Sequence, residues 1–235
     1  MRIKKVSGFA FIGLTLTTLI FSAGGASATD RYISVNATGS VKVVPDCVRL
    51  NASVSFLAVA SSDALTNSSA SASKLREILT SSGVESKYVK ATSLTVFPEY
   101  TYVADKGSVL SGYRASQSFE IIIRNAKTAG AIVDSVVAAV GNSLNIDGVT
   151  PFVYDPTASS LAARTEAVKR AKAKAVSYAK LLSVKLGKIT YLEESSGASP
   201  YPVVMAMAKS DAGSTQVDLG QQDVSITLNT RWSVL

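Results

Sequence analysis

Two apolar rhythms alternate along this chain, and together they restrict it to a fold that mixes helices with strands. Apolar residues recurring every three or four positions predict one face of a helix; recurrence at every second position predicts one face of a strand. Ala64, Leu65, Ala72, Leu75, Ile78 and Leu79 keep the helical spacing from near Ala60, and Gly83 supplies the stop. A second helix is predicted from about Lys127 to Val140, with Ile132, Val133, Val136, Val137 and Val140 on one side and Gly141 at its end. Asp155-Pro156 opens the third and longest, from about Thr157 to Leu186, closed by Gly187. Its expected buried stripe is Leu161, Val168, Ala171, Ala175, Tyr178, Ala179 and Leu182.

Strand-like segments surround these helices. Tyr32–Gly39 and Val41–Leu57 are rich in β-branched residues; within the second, Leu50, Ala52, Val54 and Phe56 alternate with polar residues, and Pro45, which cannot donate to a ladder, marks an edge, a bulge or a break between two short strands. Lys90 to Tyr102 reads as a strand ending in an aromatic turn region. Gly112 to Asn125 reads as another, and Ile122, which breaks its alternation, places it centrally, covered on both faces. Ile146–Tyr154, Lys188–Glu194 and Val217–Leu235 complete the set, with Ser195–Ser214 as a loop. The fold class is therefore α+β: three helices packed on mostly antiparallel sheet, from duplicated strand-helix-strand units. An outer-membrane barrel is disfavoured, since a barrel wall alternates throughout and leaves no room for three helices in the middle.

The first residues carry a different signal. Arg2, Lys4 and Lys5 precede an apolar run from about Phe9 to Phe21, and Ala26-Ser27-Ala28 offers small residues at a cleavage site. This is the pattern of a secretory leader, Met1–Ala28. The apolar run falls short of the ~20 residues a membrane span needs. Removing the leader takes three positive charges from the formal +7 and leaves +4. No later segment reaches transmembrane length, so the processed chain, residues 29–235, is expected to have no transmembrane span. It is read as one domain, with two subdomains as a variant, long enough to bury roughly 70% of its unfolded surface without disulfides.

Composition then removes whole chemistries. The chain has no histidine and one cysteine, Cys47. It can build no Ser-His-Asp triad, no Cys-His dyad, no internal disulfide and no Cys-x-x-Cys pair. No cofactor or metal site is expected, and no Asp-x-Asp-x-Asp loop is present.

Four stretches resemble the SIMPL-domain family, whose bacterial members include exported immunogenic proteins of the periplasm or envelope. They are Ile33-Ser34-Val35 leading through Gly39 to Pro45-Asp46; Gly83-Val84-Glu85 running to Leu94, Val96, Pro98 and Tyr100; Gly112-Tyr113-Arg114-Ala115; and Arg164, Ala167, Ala171, Ala175, Tyr178 and Ala179 through Leu186-Gly187. The chain departs at Ala37, where a glycine is usual, and at Tyr88, where the family often has an acidic residue. The resemblance spans nearly all of the processed chain. It implies an α+β fold, a periplasmic location (with outer-membrane association as a further option), self-association into a homo-oligomer and a tie to oxidative-stress tolerance. It implies no agreed enzymatic activity and brings no catalytic residues.

The candidate contacts follow from charge and exposure. Arg164, Lys169, Arg170, Lys172, Lys174, Lys180 and Lys185 face only Glu166 among acids between Leu161 and Leu186. Such a face could rest on anionic lipid or lipopolysaccharide; the plainer reading is a solvated face that keeps an alanine-rich helix in water. Nucleic acid is disfavoured by export, modest charge and the lack of interleaved aromatics. Tyr201, Val203, Val204, Met205 and Met207 form an apolar loop segment that suits a subunit contact, as do the sheet edges and the terminal strand from Asp223 to Leu235. Two Ser-x-x-Lys pairs, Ser71/Lys74 and Ser177/Lys180, match the roughly two expected by chance for this composition, without the companion motifs of serine-lysine enzymes. Asp46, Glu193 and Glu194 are the carboxylates a histidine-free hydrolase would use; Asp46 is better read as binding backbone N–H groups. Cys47 beside Asp46 is expected to be a buried, unreactive thiol, with an intermolecular disulfide as the rival. The expectation is a non-catalytic, exported envelope protein that self-associates and acts through its surfaces. The alternatives are a binding module for anionic envelope components and, less favoured, the hydrolase.

Overall fold

The computed structural model describes residues 31–198 and 215–235, the side chains of 196–198 excepted. In chain order the elements are β1 (Tyr32–Val43), β2 (Cys47–Ala58), α1 (Ser61–Ser81), β3 (Val89–Val103), β4 (Gly107–Ile123), α2 (Ala129–Val140), β5 (Leu144–Phe152), α3 (Thr157–Leu181), β6 (Leu186–Ala198) and β7 (Gln222–Val234). The fold is α+β. The strands make two sheets, one of four in the order β3-β4-β2-β5 and one of three in the order β1-β7-β6. Every pairing is antiparallel.

Of the three readings of Pro45, the structure takes the break. It lies between β1 and β2, which belong to different sheets. The four-stranded sheet is built from a contiguous stretch, Cys47 to Phe152, whereas the three-stranded sheet joins the first strand to the last two. Tyr32 stands opposite Ser233 and Val43 opposite Gln222. β4 is a central strand, between β3 and β2. α1 and α2 stop where the sequence predicts: Gly83 and Gly141 take φ of +85° and +69°, which a side chain rarely adopts.

The four-stranded sheet is covered by large side chains. Val48, Leu50 and Val54 of β2 and Phe119, Ile121 and Ile123 of β4 pack against Leu75 and Leu79 of α1 and Ile132, Val133 and Val136 of α2. Burial of each contributes about 1.5–3 kcal/mol. Val217 and Leu219, expected to open the final strand, instead precede it and pack against this core. Thr215 is tied to α2, its N–H donating to Asp134 at 3.0 Å.

The three-stranded sheet is covered differently, and the buried stripe of α3 is not the predicted one. The helix buries Ala163, Ala167, Ala171, Ala175 and Ala179. Leu161, Val168, Tyr178 and Leu182 are exposed, Leu161 to 60%. The reason is distance. A Cβ on Gly39 of β1 would stand 2.2 Å from the Ala163 carbonyl oxygen and 2.3 Å from the Ala167 nitrogen, so helix backbone and strand backbone meet almost directly. Only the alanine stripe fits such an approach. α3 also ends earlier than predicted, at Leu181, with Ser183 taking the left-handed turn at φ +53°, while Gly187 falls within β6. β6 extends to Ala198, four residues past the predicted boundary at Glu194.

Among the described residues, no helix is long and apolar enough to cross a membrane.

Candidate functional site

The basic face of α3 is partly committed to its own domain. Arg164 donates from Nε and Nη2 to the two carboxylate oxygens of Glu194 on β6, at 2.7 and 2.8 Å. This forked bond holds the Glu194 carboxyl below its ordinary value. Arg170 donates to Glu166 one turn earlier at 2.9 Å and to the Thr38 carbonyl at 3.1 Å. Lys174 reaches across to the Asn36 carbonyl at 2.8 Å. Three of the seven basic residues of that face thus bind α3 to β1 and β6. Lys169, Lys172 and Lys180 are exposed. The same spacing that puts alanines against β1 puts these lysines on the outer side.

The catalytic candidates are dispersed. Ser71 accepts a hydrogen bond from Ser143 at 3.1 Å, and Ser177 lies on the exposed face of α3. Glu193 and Glu194, neighbours on a strand, diverge: Glu194 meets α3, while Glu193 accepts from the Tyr191 hydroxyl at 3.0 Å. Asp46 does bind backbone N–H, but across the sheet rather than within its own turn. Its carboxylate accepts from Tyr154 N at 2.8 Å, and its carbonyl accepts from Ala126 N at 3.0 Å. Cys47 is fully buried, with Sγ donating to the Arg124 carbonyl at 3.5 Å. Burial, and then the Asp46 charge, push its thiol up, away from the reactive thiolate. Among the described residues no group of three or more Asp, Glu or Cys side chains is placed to hold a metal ion.

The apolar loop contact of Tyr201, Val203, Val204, Met205 and Met207 lies outside the described residues, as does the leader Met1–Ala28. A surface the sequence reading passed over takes prominence instead. β2 pairs with β4 only as far as Ala58 opposite Tyr113, but β3 and β4 continue together to Val103 opposite Gly107. Beyond the sheet they form a two-stranded arm. Tyr102 is 78% exposed, Phe97 at its base 63% and Tyr100 59%, with Leu110 and Val109 also exposed. The charged pair at its root, Arg114 with Glu99, is a forked ion pair, with Nη2 donating at 2.9 Å. The signal was in the sequence: three aromatics within six residues, Phe97, Tyr100 and Tyr102, in a segment read as a strand end. The length of the partner strands, which leaves them uncovered, was not.

The chain was then compared with known proteins. A family model described as SIMPL, a protein of unknown function (DUF541), matches residues 33–232. The 26 kDa periplasmic immunogenic protein of Brucella melitensis is 26% identical over 214 residues, covering 86% of this chain and 84% of that one. The uncharacterized protein YggE of Escherichia coli K12 is 25% identical over 205 residues, covering 87% and 82%. The YggE of Edwardsiella ictaluri is 28% identical over 158 residues, covering 67% and 65%. With a family match running from the second residue of β1 to Trp232 in β7, on a fold of three helices over antiparallel sheets, this chain belongs to the SIMPL family.

Proposed function

We propose that this is an exported, non-catalytic protein of the cell envelope that assembles with copies of itself through the β3–β4 arm. The observation that carries the reading is the arm: a two-stranded ribbon, stable alone only marginally, that turns Tyr100, Tyr102, Val109 and Leu110 to solvent. A second copy packed on it would bury those side chains and support the ribbon. Export is supported by the leader-like first residues and by the word periplasmic in the name of the Brucella relative. The absence of catalysis is supported by the dispersal of the serine, lysine and carboxylate candidates. A tie to oxidative-stress tolerance rests on the family resemblance alone.

Sedimentation equilibrium of the purified protein tests this. The expected mass is a multiple of the single chain, and exchanging Phe97, Tyr100 and Tyr102 together for serine should release a smaller species that keeps the wild-type far-ultraviolet circular dichroism and melts somewhat lower. A wild type that stays monomeric at micromolar concentration, or a variant that keeps the full mass, overturns the reading.

A further inference from the structure

A cavity of about 280 Å³ opens at the end of β4, walled by residues 82–85 after α1, by Tyr88, by Ile122 to Asn125 and by Thr128 and Ile132 of the α2 entry. Val84, Ile123 and Ile132, which belong to the core beneath, make part of its wall apolar. Arg124 lies on its wall in an unusual setting. The guanidinium carbon is 3.5 Å from the ring centroid of Tyr154 and 5.6 Å from that of Tyr88, and Nη1 donates to the Tyr88 hydroxyl at 3.1 Å. Aromatic rings against a guanidinium cover its faces, and with Nη1 given to Tyr88 the Nε–Nη2 edge is left for a ligand.

Charge narrows what that ligand can be. Arg49, Arg114, Arg164 and Arg170 each pair with a glutamate, whereas Arg124 makes no ion pair among the described residues. The acid in the cavity wall, Glu85, is held by Lys87 at 2.8 Å. Lys87, outside the wall, offsets Glu85, so the Arg124 charge is the one the wall leaves uncompensated. A guanidinium fork matches a carboxylate edge with two parallel bonds, and one excess charge matches a monoanion. A phosphate dianion would leave the site net negative beside a partly apolar wall, which is costly. We propose that this cavity binds a small organic carboxylate, with Arg124 receiving the carboxylate and Val84, Ile123 and Ile132 receiving a short alkyl chain.

The test is a titration of the full chain with butyrate, acetate and inorganic phosphate at constant ionic strength, followed by the Arg124 Nε–H resonance and by calorimetry. Butyrate is expected to saturate and to shift that resonance, and acetate, lacking two methylenes, to bind about tenfold more weakly. Phosphate should bind more weakly than butyrate. Arg124→Gln should lose butyrate binding, and Arg124→Lys, which keeps the charge without the fork, should weaken it about tenfold. Arg231→Gln, on the other sheet, should bind as wild type does. The proposal is overturned by shifts that never saturate, by an equal response to all three anions, or by a folded Arg124→Lys or Arg124→Gln that binds butyrate unchanged.

Discussion

The two helix-covered sheets reach stability by opposite routes. The four-stranded sheet is covered by bulk: Phe119, Leu50, Ile121, Ile123, Leu75 and Leu79 fill the space under α1 and α2. The three-stranded sheet is covered by nearness: five alanines and one glycine let α3 lie almost on the backbone of β1. The first layer gains from apolar area removed from water. The second gains from many short contacts and from polar bonds that only closeness allows, such as Lys174 to the Asn36 carbonyl and Arg170 to that of Thr38. The lesson is that the first should be sensitive to atoms removed and the second to atoms added.

The largest effect should come from removal in the bulky layer. Phe119→Ala is expected to cost about 3–5 kcal/mol in urea unfolding, by lost burial and by the cavity left behind. A loss of less than about 1 kcal/mol would mean that the core refills, and the contrast would fail on that side. Next comes addition in the close-packed layer. Gly39→Ala adds a single methyl yet should cost about 1–3 kcal/mol, because the atoms it meets are helix backbone and cannot swing aside. A neutral Gly39→Ala would show that α3 is free to lift. The smallest effect should come from the Arg164–Glu194 pair, which sharpens the comparison by asking what polar bonds add to the alanine layer. Because Arg164 depresses the Glu194 carboxyl, the contribution is present above the unfolded carboxylate range and is lost as pH falls through the folded value. Arg164→Gln should therefore lower the urea midpoint slightly at neutral pH, less so in high salt since both side chains reach solvent, and not at all in acid. A difference that persists at low pH would assign the effect to packing.

Legibility in the sequence followed the same division. The bulky layer was readable for the most part: Leu50, Ala52 and Val54, then Leu75 and Leu79, then Ile132, Val133 and Val136 lie where their spacing places them, whereas Phe56 and Val137, read onto the same faces, are exposed. The alanine layer was misread. Ranking side chains by hydrophobicity selects Leu161, Val168, Tyr178 and Leu182, but the buried face is set by how near the strand lies, and Gly39 is 124 residues before Ala163. For the same reason the basic face of α3 looked uniform in sequence. Only the fold shows that Arg164, Arg170 and Lys174 look inward to β1 and β6 while Lys169, Lys172 and Lys180 look outward. The arm was half legible. Its aromatics are visible in the sequence, but their exposure depends on β2 stopping at Ala58. The cavity beside Arg124 was not legible at all, since its walls come from two stretches, 82–88 and 122–132, that only the fold brings together.

The pairing of β1 with β7 sets an order of events. A polypeptide made or threaded from its N-terminus can pair all four strands between Cys47 and Phe152 before β7 exists, with only the contacts of Thr215, Val217 and Leu219 still to come. The opening strand has no such freedom, because the segment it pairs with is the last to arrive. Until then it waits as an unpaired edge, and closing so long a loop is the slow step that contact separation predicts. The arrangement makes the finished three-stranded sheet a report that the polypeptide has been delivered as far as β7.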